Sequence, residues 1–241
     1  MKLFCLPYAG ASAAIYMKWK RALAPGIECV PLELAGRGIR SGEPFYAGMK
    51  EAADDALEKL LAQIDSRSPY AVFGHSMGAM ILFEVCLLLR DGKFPPPAAL
   101  FFSGRPAPDL PRAAVPIHKL PDREFAERIL EMGATSPEVF AHRGLMNVFV
   151  PILRADFRLV ETYRYEEKGL LPWELTILAG SEEQWSDEEL EGWRRRTSAG
   201  CRIVRPPGGH FYWQNGPDPD WLPGFLEQAL RKAYGEKRNF A

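Results

Sequence analysis

Long apolar runs are missing from this sequence of 241 residues. No run approaches the length of about 18 residues that indicates a membrane-spanning helix, and the apolar stretch before Pro7 is too short for a secretory signal. Cysteine is scarce: Cys5, Cys29, Cys86 and Cys201 lie far apart and form no C-x-x-C pair. This spacing argues against a metal site and favours reduced core thiols in a cytoplasmic protein, which are our predictions.

A strong charge of one sign is also missing, since 30 lysines and arginines are balanced by 31 acidic residues. The basic residues are scattered among the acidic ones, so no nucleic-acid partner is expected. With 47% apolar and 25% charged residues, the composition is that of an ordinary globular protein. We predict a single α/β domain over residues 1–241, with one insertion.

What the sequence does contain is an alternation of apolar runs, typical of buried parallel strands, with segments of helical periodicity. The predicted strands are 2–6, 27–32, 70–73, 98–102, 175–178 and 201–205, and the predicted helices are 49–64, 79–90, 187–198 and 221–234. Alternation of this kind implies right-handed crossovers. It therefore predicts a mostly parallel central sheet with helices on both faces.

One segment, at about 115–165, breaks this alternation. It contains helical stretches at 122–132, 137–140 and 145–165 but no good strand. We interpret it as a helical insertion between two strands, which could simply pack on the domain. Its position between the candidate nucleophile and the other candidate catalytic residues favours a lid over the active site.

The stretch Gly74-His75-Ser76-Met77-Gly78 has the pattern G-x-S-x-G between an apolar run and a helical one. In that setting the pattern predicts a sharp strand-to-helix turn that exposes the serine hydroxyl and leaves a backbone N–H beside it. The turn has no room for side chains at its flanks, which accounts for both glycines. Because a free serine hydroxyl is a poor nucleophile, a serine hydrolase also needs a histidine base and an acid behind it.

Only four histidines are available as the base. His75 lies within the turn and cannot swing onto the serine, and His118 and His142 fall in the predicted insertion. His210 directly follows the last predicted strand, at the edge of the sheet that also carries the serine. The two glycines before it permit the loop to return over the sheet, so His210 is the predicted base.

The acid should follow a strand that lies between the serine and the histidine along the chain. Glu182, Glu183 and Asp187 follow the predicted strand 175–178, and Glu183 is the first choice among them. Asp187 lies in a capping-box pattern that predicts the start of a helix. Some members of this fold instead carry the acid after the strand that follows the nucleophile. In that arrangement Asp109 is the candidate, so the alternatives to Glu183 are Asp109 and Glu182.

Two backbone N–H groups should stabilise the oxyanion of the reaction. One belongs to Met77, the residue after the serine. The other should come from the loop after strand 2–6, and we assign it to Ala9, with Tyr8 and Gly10 as alternatives.

Six stretches of the sequence together carry a family resemblance over nearly the whole chain. They are Leu6-Pro7-Tyr8-Ala9-Gly10, Ala35-Gly36-Arg37-Gly38-Ile39-Arg40, Phe73-Gly74-His75-Ser76-Met77-Gly78-Ala79, Ser103-Gly104-Arg105-Pro106-Ala107-Pro108, Leu153-Arg154-Ala155-Asp156-Phe157 and Gly208-Gly209-His210-Phe211. They resemble the type II thioesterases of nonribosomal peptide and polyketide pathways, which are stand-alone α/β-hydrolases. The Arg-Ala-Asp-Phe, Gly-Gly-His-Phe and Ser-Gly-Arg runs are more telling than the serine turn, which many hydrolases share.

The resemblance implies an α/β-hydrolase fold with Ser76 as nucleophile, His210 as base, and Ala9 and Met77 as oxyanion donors. The family's usual acid is the final Asp of a G-x-x-D pattern, and Glu183 stands at that position here. The resemblance also implies that the segment around 120–159 is a lid over an acyl chamber.

The activity implied is hydrolysis of acyl thioesters on the phosphopantetheine arm of an acyl or peptidyl carrier protein. The role would be editing for a nonribosomal peptide or polyketide synthase, as in antibiotic biosynthesis. No cofactor is expected, because phosphopantetheine is part of the substrate, and the chain is expected to be a monomer. The alternatives are a general acyl-CoA thioesterase or carboxylesterase, and a non-catalytic acyl-binding protein that has kept the turn.

Two further sets of residues follow from this interpretation. Carrier proteins are generally acidic near the arm, so a basic docking patch is expected. Each candidate for this patch could equally be an ordinary structural arginine. The candidates are Arg37, Arg40, Arg105, Arg154 and Arg158. The candidates for the acyl chamber, each equally typical of plain core, are Met77, Met80, Phe140, Met146, Phe149 and Phe157.

Overall fold

The computed structural model describes residues 1–65, 68–110, 116–133 and 135–238. Its strands are β1 Lys2–Leu6, β2 Glu28–Pro31, β3 Tyr70–His75, β4 Ala99–Ser103, β5 Leu175–Leu178 and β6 Cys201–Val204. They form one sheet in the order β2-β1-β3-β4-β5-β6, and every neighbouring pair is parallel. The predicted parallel sheet is therefore confirmed.

The α-helices of the described residues are α1 Trp19–Ala22, α2 Met49–Leu61, α3 Met77–Asp91, α4 Asp122–Glu131, α5 Pro137–Ala141, α6 Arg143–Thr162, α7 Asp187–Glu191, α8 Tyr212–Asn215 and α9 Trp221–Arg238. Short 3₁₀ helices lie at Ala13–Tyr16, Gly38–Arg40, Ile117–Lys119 and Gly192–Arg196. The predicted helix 187–198 is thus an α-helical turn that continues as a 3₁₀ helix. No helix in the described ranges is long and apolar enough to cross a membrane.

Each face of the sheet buries its own core. On β1, Phe4 packs into a core shared with α2 and α3, whereas Leu3 and Cys5 pack into a second core that includes Trp19 and residues of α9. This division follows from the strand geometry, in which successive side chains point to opposite faces. Helices therefore cover both faces, as the sequence predicts.

The carboxyl ends of the central strands meet at one edge of the sheet. Leu6 of β1 pairs with Gly74 of β3, His75 of β3 pairs with Ser103 of β4, and Ser103 pairs with Leu178 of β5. Leu178 in turn pairs with Val204 of β6, so the loops after β1, β3, β5 and β6 leave the sheet at the same edge. These loops carry the candidate oxyanion donor, nucleophile, acid and base.

The helical segment between β4 and β5 contains α4, α5 and α6, in agreement with the predicted helices. It has a small core of its own, formed by Ile117, Phe125, Ile129 and Leu153. Helix α6 ends at Thr162 rather than at 165. Residues 115 and 134 of the predicted insertion, like residues 239–241 at the end of the predicted domain, lie outside the described residues.

Candidate active site

Ser76 lies on the turn between β3 and α3, where its backbone has φ 52° and ψ −110°. A positive φ is rare for a residue with a Cβ, and holding such a residue there costs about 1–3 kcal/mol. The side chains on either side of it, His75 and Met77, are both 0% exposed, whereas Ser76 is half-buried. The strained turn therefore presents the serine, and not its neighbours, at the surface of the site.

The two glycines of the turn are required by close backbone contacts. A Cβ at Gly74 would lie 2.3 Å from the carbonyl oxygen of Gly78, and a Cβ at Gly78 would lie 2.2 Å from the carbonyl oxygen of Leu6. Both distances are far inside van der Waals contact, so no larger residue fits without moving the backbone. These two backbone contacts are the specific steric reason for the glycines of the G-x-S-x-G pattern.

His210 and Glu183 meet above the edge of the sheet, where Nδ1 of the imidazole lies 2.6 Å from Oε1 of the carboxylate. An ionised carboxylate only accepts hydrogen bonds, so Nδ1 carries the proton and Nε2 is the nitrogen left for the serine. The carboxylate is 5% exposed and the imidazole 30% exposed. The base candidate thus faces the site while its partner is shielded from water.

The imidazole of His210 lies against the turn that carries the serine. Its ring centroid is 4.8 Å from that of His75, the residue before Ser76. A Cβ at Gly104 would lie 2.9 Å from Cε1 of His210. No hydrogen bond joins Ser76 to His210 among the described residues, and such bonds are often long before substrate binds.

Two further hydrogen bonds hold the carboxylate of Glu183. The Gly180 N–H donates to Oε2 at 2.8 Å, and Nε1 of Trp185 donates to Oε1 at 3.2 Å. A glutamate has one more methylene to fix than an aspartate, and these two donors fix it. Trp185 was missed by the sequence analysis, because nothing in its position along the chain indicates a bond to the acid.

The loops that carry Glu183 and His210 pack backbone against backbone. Ser181 N–H donates to the carbonyl of Pro206 at 2.8 Å, and Glu182 N–H donates to that of Gly208 at 3.0 Å. A Cβ at Gly180 would lie 2.3 Å from the carbonyl oxygen of Gly209. This close approach sets the separation of the carboxylate from the imidazole.

The other candidate acids lie elsewhere. The side chain of Glu182 is exposed, and that of Asp187 is 95% exposed at the first turn of α7. Asp109 lies 3.5 Å from Arg196 and 3.8 Å from Arg195. Of the four carboxylates, Glu183 is therefore the one that contacts the candidate base in the described structure.

A buried hydrogen-bonded chain lies behind the site and was also missed from the sequence. Nδ1 of His75 lies 2.9 Å from Oγ of Ser103, which in turn lies 2.9 Å from the hydroxyl of Tyr212. Tyr212 belongs to the helical turn that follows His210. These hydrogen bonds thus tie β3 to the segment that follows His210. The only sign of them in the sequence was the Ser-Gly-Arg run, which contains Ser103.

The buried position of His75 predicts a pH-dependent stability. Burial, and then the neighbouring His210, lower the pKa of His75 well below its ordinary value of about 6.5. The unfolded chain takes up this proton as the pH falls through about 6.5 while the folded chain does not, so acid favours unfolding. Between pH 7.5 and 5.5 the free energy of unfolding should fall by about 1 kcal/mol through this residue alone.

Urea unfolding of the wild type and of His75→Gln at several pH values tests this prediction. The variant keeps a polar side chain near Ser103 but cannot titrate, so its stability should decline less steeply with acid. Only the difference between the two slopes counts, because other groups titrate equally in both proteins. Parallel slopes would contradict the prediction.

The candidate oxyanion donors lie at the ends of β1 and β3. Met77 is the first residue of α3, where the backbone N–H has no partner within the helix. The N–H of Gly10 is already taken, since it donates to Oδ2 of Asp156 at 2.7 Å. Within the described residues Ala9 and Tyr8 keep unpartnered N–H groups, so Gly10 is the weakest of the three alternatives.

A cavity of about 560 Å³ lies between α3, α6 and the loops after β4 and β5, and its lining does not include Ser76, His210 or Ala9. Its lining includes Met80, one turn beyond Ser76, and Trp185, which contacts Glu183. Of the six residues predicted for an acyl chamber, Met80 and Phe157 line this cavity and the other four do not. Phe140 and Phe149 instead pack against the small core of the helical insertion.

The prediction that Arg37 contributes to a basic docking patch is wrong. Its side chain is 2% exposed and forms an ion pair with Asp156. Arg40 is also largely buried, at 11% exposure, and is bound by Glu43 and Asp55. The partner of Arg37 lies 119 residues away along the chain, whereas those of Arg40 lie 3 and 15 residues away, and no sequence pattern indicated either pairing.

Known proteins resemble this chain over most of its length. The model of the family described as "Thioesterase domain" matches residues 1–228. The thioesterase PikA5 of Streptomyces venezuelae is 32% identical over 216 residues, which cover 88% of this chain and 75% of the relative. The crystal structure of ClbQ from the colibactin NRPS/PKS pathway superposes with a TM-score of 0.89 at 34% identity, covering 97% of this chain and 98% of the other.

A third relative carries a different kind of name. The protein called linear gramicidin dehydrogenase LgrE, of Brevibacillus parabrevis, is 36% identical over 237 residues, covering 95% of this chain and 87% of the relative. Pro7-Tyr8-Ala9-Gly10 follows β1 here and does not have the pattern G-x-G-x-x-G of a dinucleotide-binding turn. The resemblance predicted from the sequence is confirmed by the family model and the superposed structure, and the chain belongs to the thioesterase-domain family.

Proposed function

We propose that this thioesterase hydrolyses acyl thioesters on the phosphopantetheine arm of a carrier protein, with Ser76, His210 and Glu183 as its catalytic residues. The observation that carries the proposal is the 2.6 Å contact between Glu183 and His210 above the strained turn of Ser76. The similar structure of ClbQ comes from the colibactin NRPS/PKS pathway, which supports an editing role for such a synthase.

The first half of the proposed reaction forms an acyl-enzyme. Oγ of Ser76 attacks the thioester carbonyl while Nε2 of His210 takes the hydroxyl proton. Glu183 accepts a hydrogen bond from Nδ1 and stabilises the resulting imidazolium. The N–H groups of Ala9 and Met77 hold the oxyanion, which collapses as the C–S bond breaks and the sulfur takes the proton from His210.

The second half releases the acid. A water molecule gives its proton to Nε2 of His210 and attacks the acyl carbonyl through the same oxyanion geometry. The bond to Oγ then breaks, Ser76 recovers its proton from the imidazolium, and the carboxylic acid leaves. The reaction uses this chain's own side chains and backbone, and phosphopantetheine enters only as part of the substrate.

The cavity lined by Met80 and Trp185 is the proposed acyl chamber, and the helical segment from α4 to α6 is its proposed lid. Met80 and Phe157 give the chamber an apolar wall, whereas Arg105 and Glu189 make part of the lining polar. One chain contributes every residue of the proposed mechanism, which is consistent with a monomer. The free cysteines are consistent with a reducing, cytoplasmic location.

Hydrolysis rates with three substrates that share one acyl group test the proposal. They are the acyl-phosphopantetheinyl carrier protein, the acyl-CoA and the p-nitrophenyl ester. The value of kcat/KM should be highest for the carrier protein, because only that substrate has a protein surface to bind. Faster turnover of the acyl-CoA or of the ester would favour the general thioesterase or carboxylesterase instead.

A further inference from the structure

The loop that offers the Ala9 N–H is held in place by hydrogen bonds to the two residues that follow Ala9. The N–H of Gly10 donates to Oδ2 of Asp156 at 2.7 Å, and the carbonyl of Ala11 accepts from Nη1 of Arg37 at 3.3 Å. The loop is also closed on itself, since the Ala11 N–H donates to the carbonyl of Tyr8 at 3.1 Å. The orientation of the Ala9 peptide therefore depends on two side chains from outside the loop.

These two side chains form a buried, two-pronged ion pair. Nη1 of Arg37 lies 2.5 Å from Oδ2 of Asp156, and Nη2 lies 2.6 Å from Oδ1. Their side chains are 2% and 1% exposed. A buried ion pair is weak evidence for stability, since apolar residues of similar volume often stabilise a fold as well or better. Apolar residues could not, however, accept the hydrogen bond that the Gly10 N–H donates to the carboxylate of Asp156.

The contact also joins two parts of the fold. Asp156 belongs to α6, in the proposed lid, and Arg37 to the loop after β2. The helix approaches the loop so closely that a Cβ at Gly10, which has φ +84°, would lie 2.4 Å from Cδ2 of Leu153. A shift of α6 near Asp156 would therefore be transmitted directly to the loop.

We infer that Asp156 is a positioning residue for the oxyanion site, which it orients from α6 through the Gly10 N–H. The inference rests on the proposed function, since it assumes that Ala9 donates to the oxyanion of a reaction at Ser76. Oxyanion donors act only when they lie about 2.7–3.1 Å from the developing charge. A displacement of about 1 Å can lower a rate by about 100-fold.

The decisive variant replaces both charges, as Arg37→Met with Asp156→Leu. This pair leaves no buried charge unpaired, so the protein should fold, but it removes the acceptor of the Gly10 N–H. We expect kcat to fall by about 10- to 100-fold with KM changed by less than about twofold. Asp156→Asn keeps an oxygen that can face Gly10, so it should retain more of the activity in the folded protein.

A binding measurement separates positioning from a general loss of activity. Butylboronic acid adds to Oγ of Ser76, whose proton passes to His210, and its tetrahedral oxygen occupies the oxyanion site. Its Kd, measured by calorimetry, should rise in the double variant by the same factor as kcat falls. A double variant that unfolds at the wild-type urea concentration and keeps both its kcat and its Kd would overturn the inference.

Glu84→Gln provides the matched control. Glu84 on α3 also holds the end of the helical segment with a buried carboxylate, through Tyr163 at 2.6 Å and Lys168 at 3.1 Å. It does not contact the loop of Ala9, so Glu84→Gln should leave the Kd unchanged, and an equal rise there would contradict a specific role of Asp156. If the wild type shows no Ser76-dependent turnover, the proposed function fails instead, independently of these variants.

Discussion

Ser76→Ala should lower kcat for thioester hydrolysis by about 10⁴- to 10⁶-fold. The variant removes the atom that forms the acyl-enzyme, and the remaining water-mediated reaction has only the oxyanion site and the bound geometry to accelerate it. Alanine has a Cβ as serine does, so the substitution does not change the steric strain at φ 52° and the turn should keep its shape. Turnover of an acyl-carrier protein under single-turnover conditions gives the measurement.

A fluorophosphonate probe provides a second readout, since it should label the wild type at Ser76 and leave Ser76→Ala unlabelled. Ser181→Ala is a matched control, because this exposed serine lies on the neighbouring loop. It should retain both labelling and turnover. Wild-type rates in Ser76→Ala would refute the mechanism, and an unlabelled wild type would favour the non-catalytic acyl-binding alternative.

Glu183→Gln should lower kcat by about 10³- to 10⁴-fold. The amide keeps the size of the side chain but lacks the charge that stabilises the imidazolium of His210, and its NH₂ group can force the wrong tautomer. Glu183→Asp keeps the charge, so kcat should fall less, by about 10- to 100-fold. This smaller loss arises because the shorter side chain retracts the carboxylate from its partners. Urea unfolding of each variant shows whether the change is confined to catalysis.

Asp109→Asn is the control for this prediction. Asp109 pairs with Arg196 and Arg195 rather than with the imidazole, so its loss should change stability more than kcat. We expect kcat within about threefold of the wild type. If Asp109→Asn abolished activity and Glu183→Gln did not, the acid would have to be reassigned.

The features that the sequence predicted well are local ones. A strand such as β3 is buried on both faces and therefore appears as a continuous apolar run, and the turn at Ser76 is so constrained sterically that its glycines cannot vary. His210 and Glu183 could be chosen as candidates because both follow strands whose carboxyl ends must share one edge of a parallel sheet, and the structure brings them into contact. In each case a short segment contains the information.

The features that the sequence did not reveal depend on contacts between distant segments. Arg37 and Asp156 are 119 residues apart along the chain, and a basic residue in a loop is more often exposed than buried. Trp185 likewise appears as an ordinary aromatic until the fold brings its indole to Glu183. Pairings of this kind are determined by tertiary packing, which no periodicity or spacing records.

The close packing at Gly180 has a consequence for engineering this enzyme. The loop of Glu183 and the loop of His210 share hydrogen bonds and leave no space for a Cβ between them. A longer or bulkier version of either loop would separate Glu183 from His210 even if both residues were retained. The two loops are thus one transplantable unit, to be exchanged together when related enzymes are recombined.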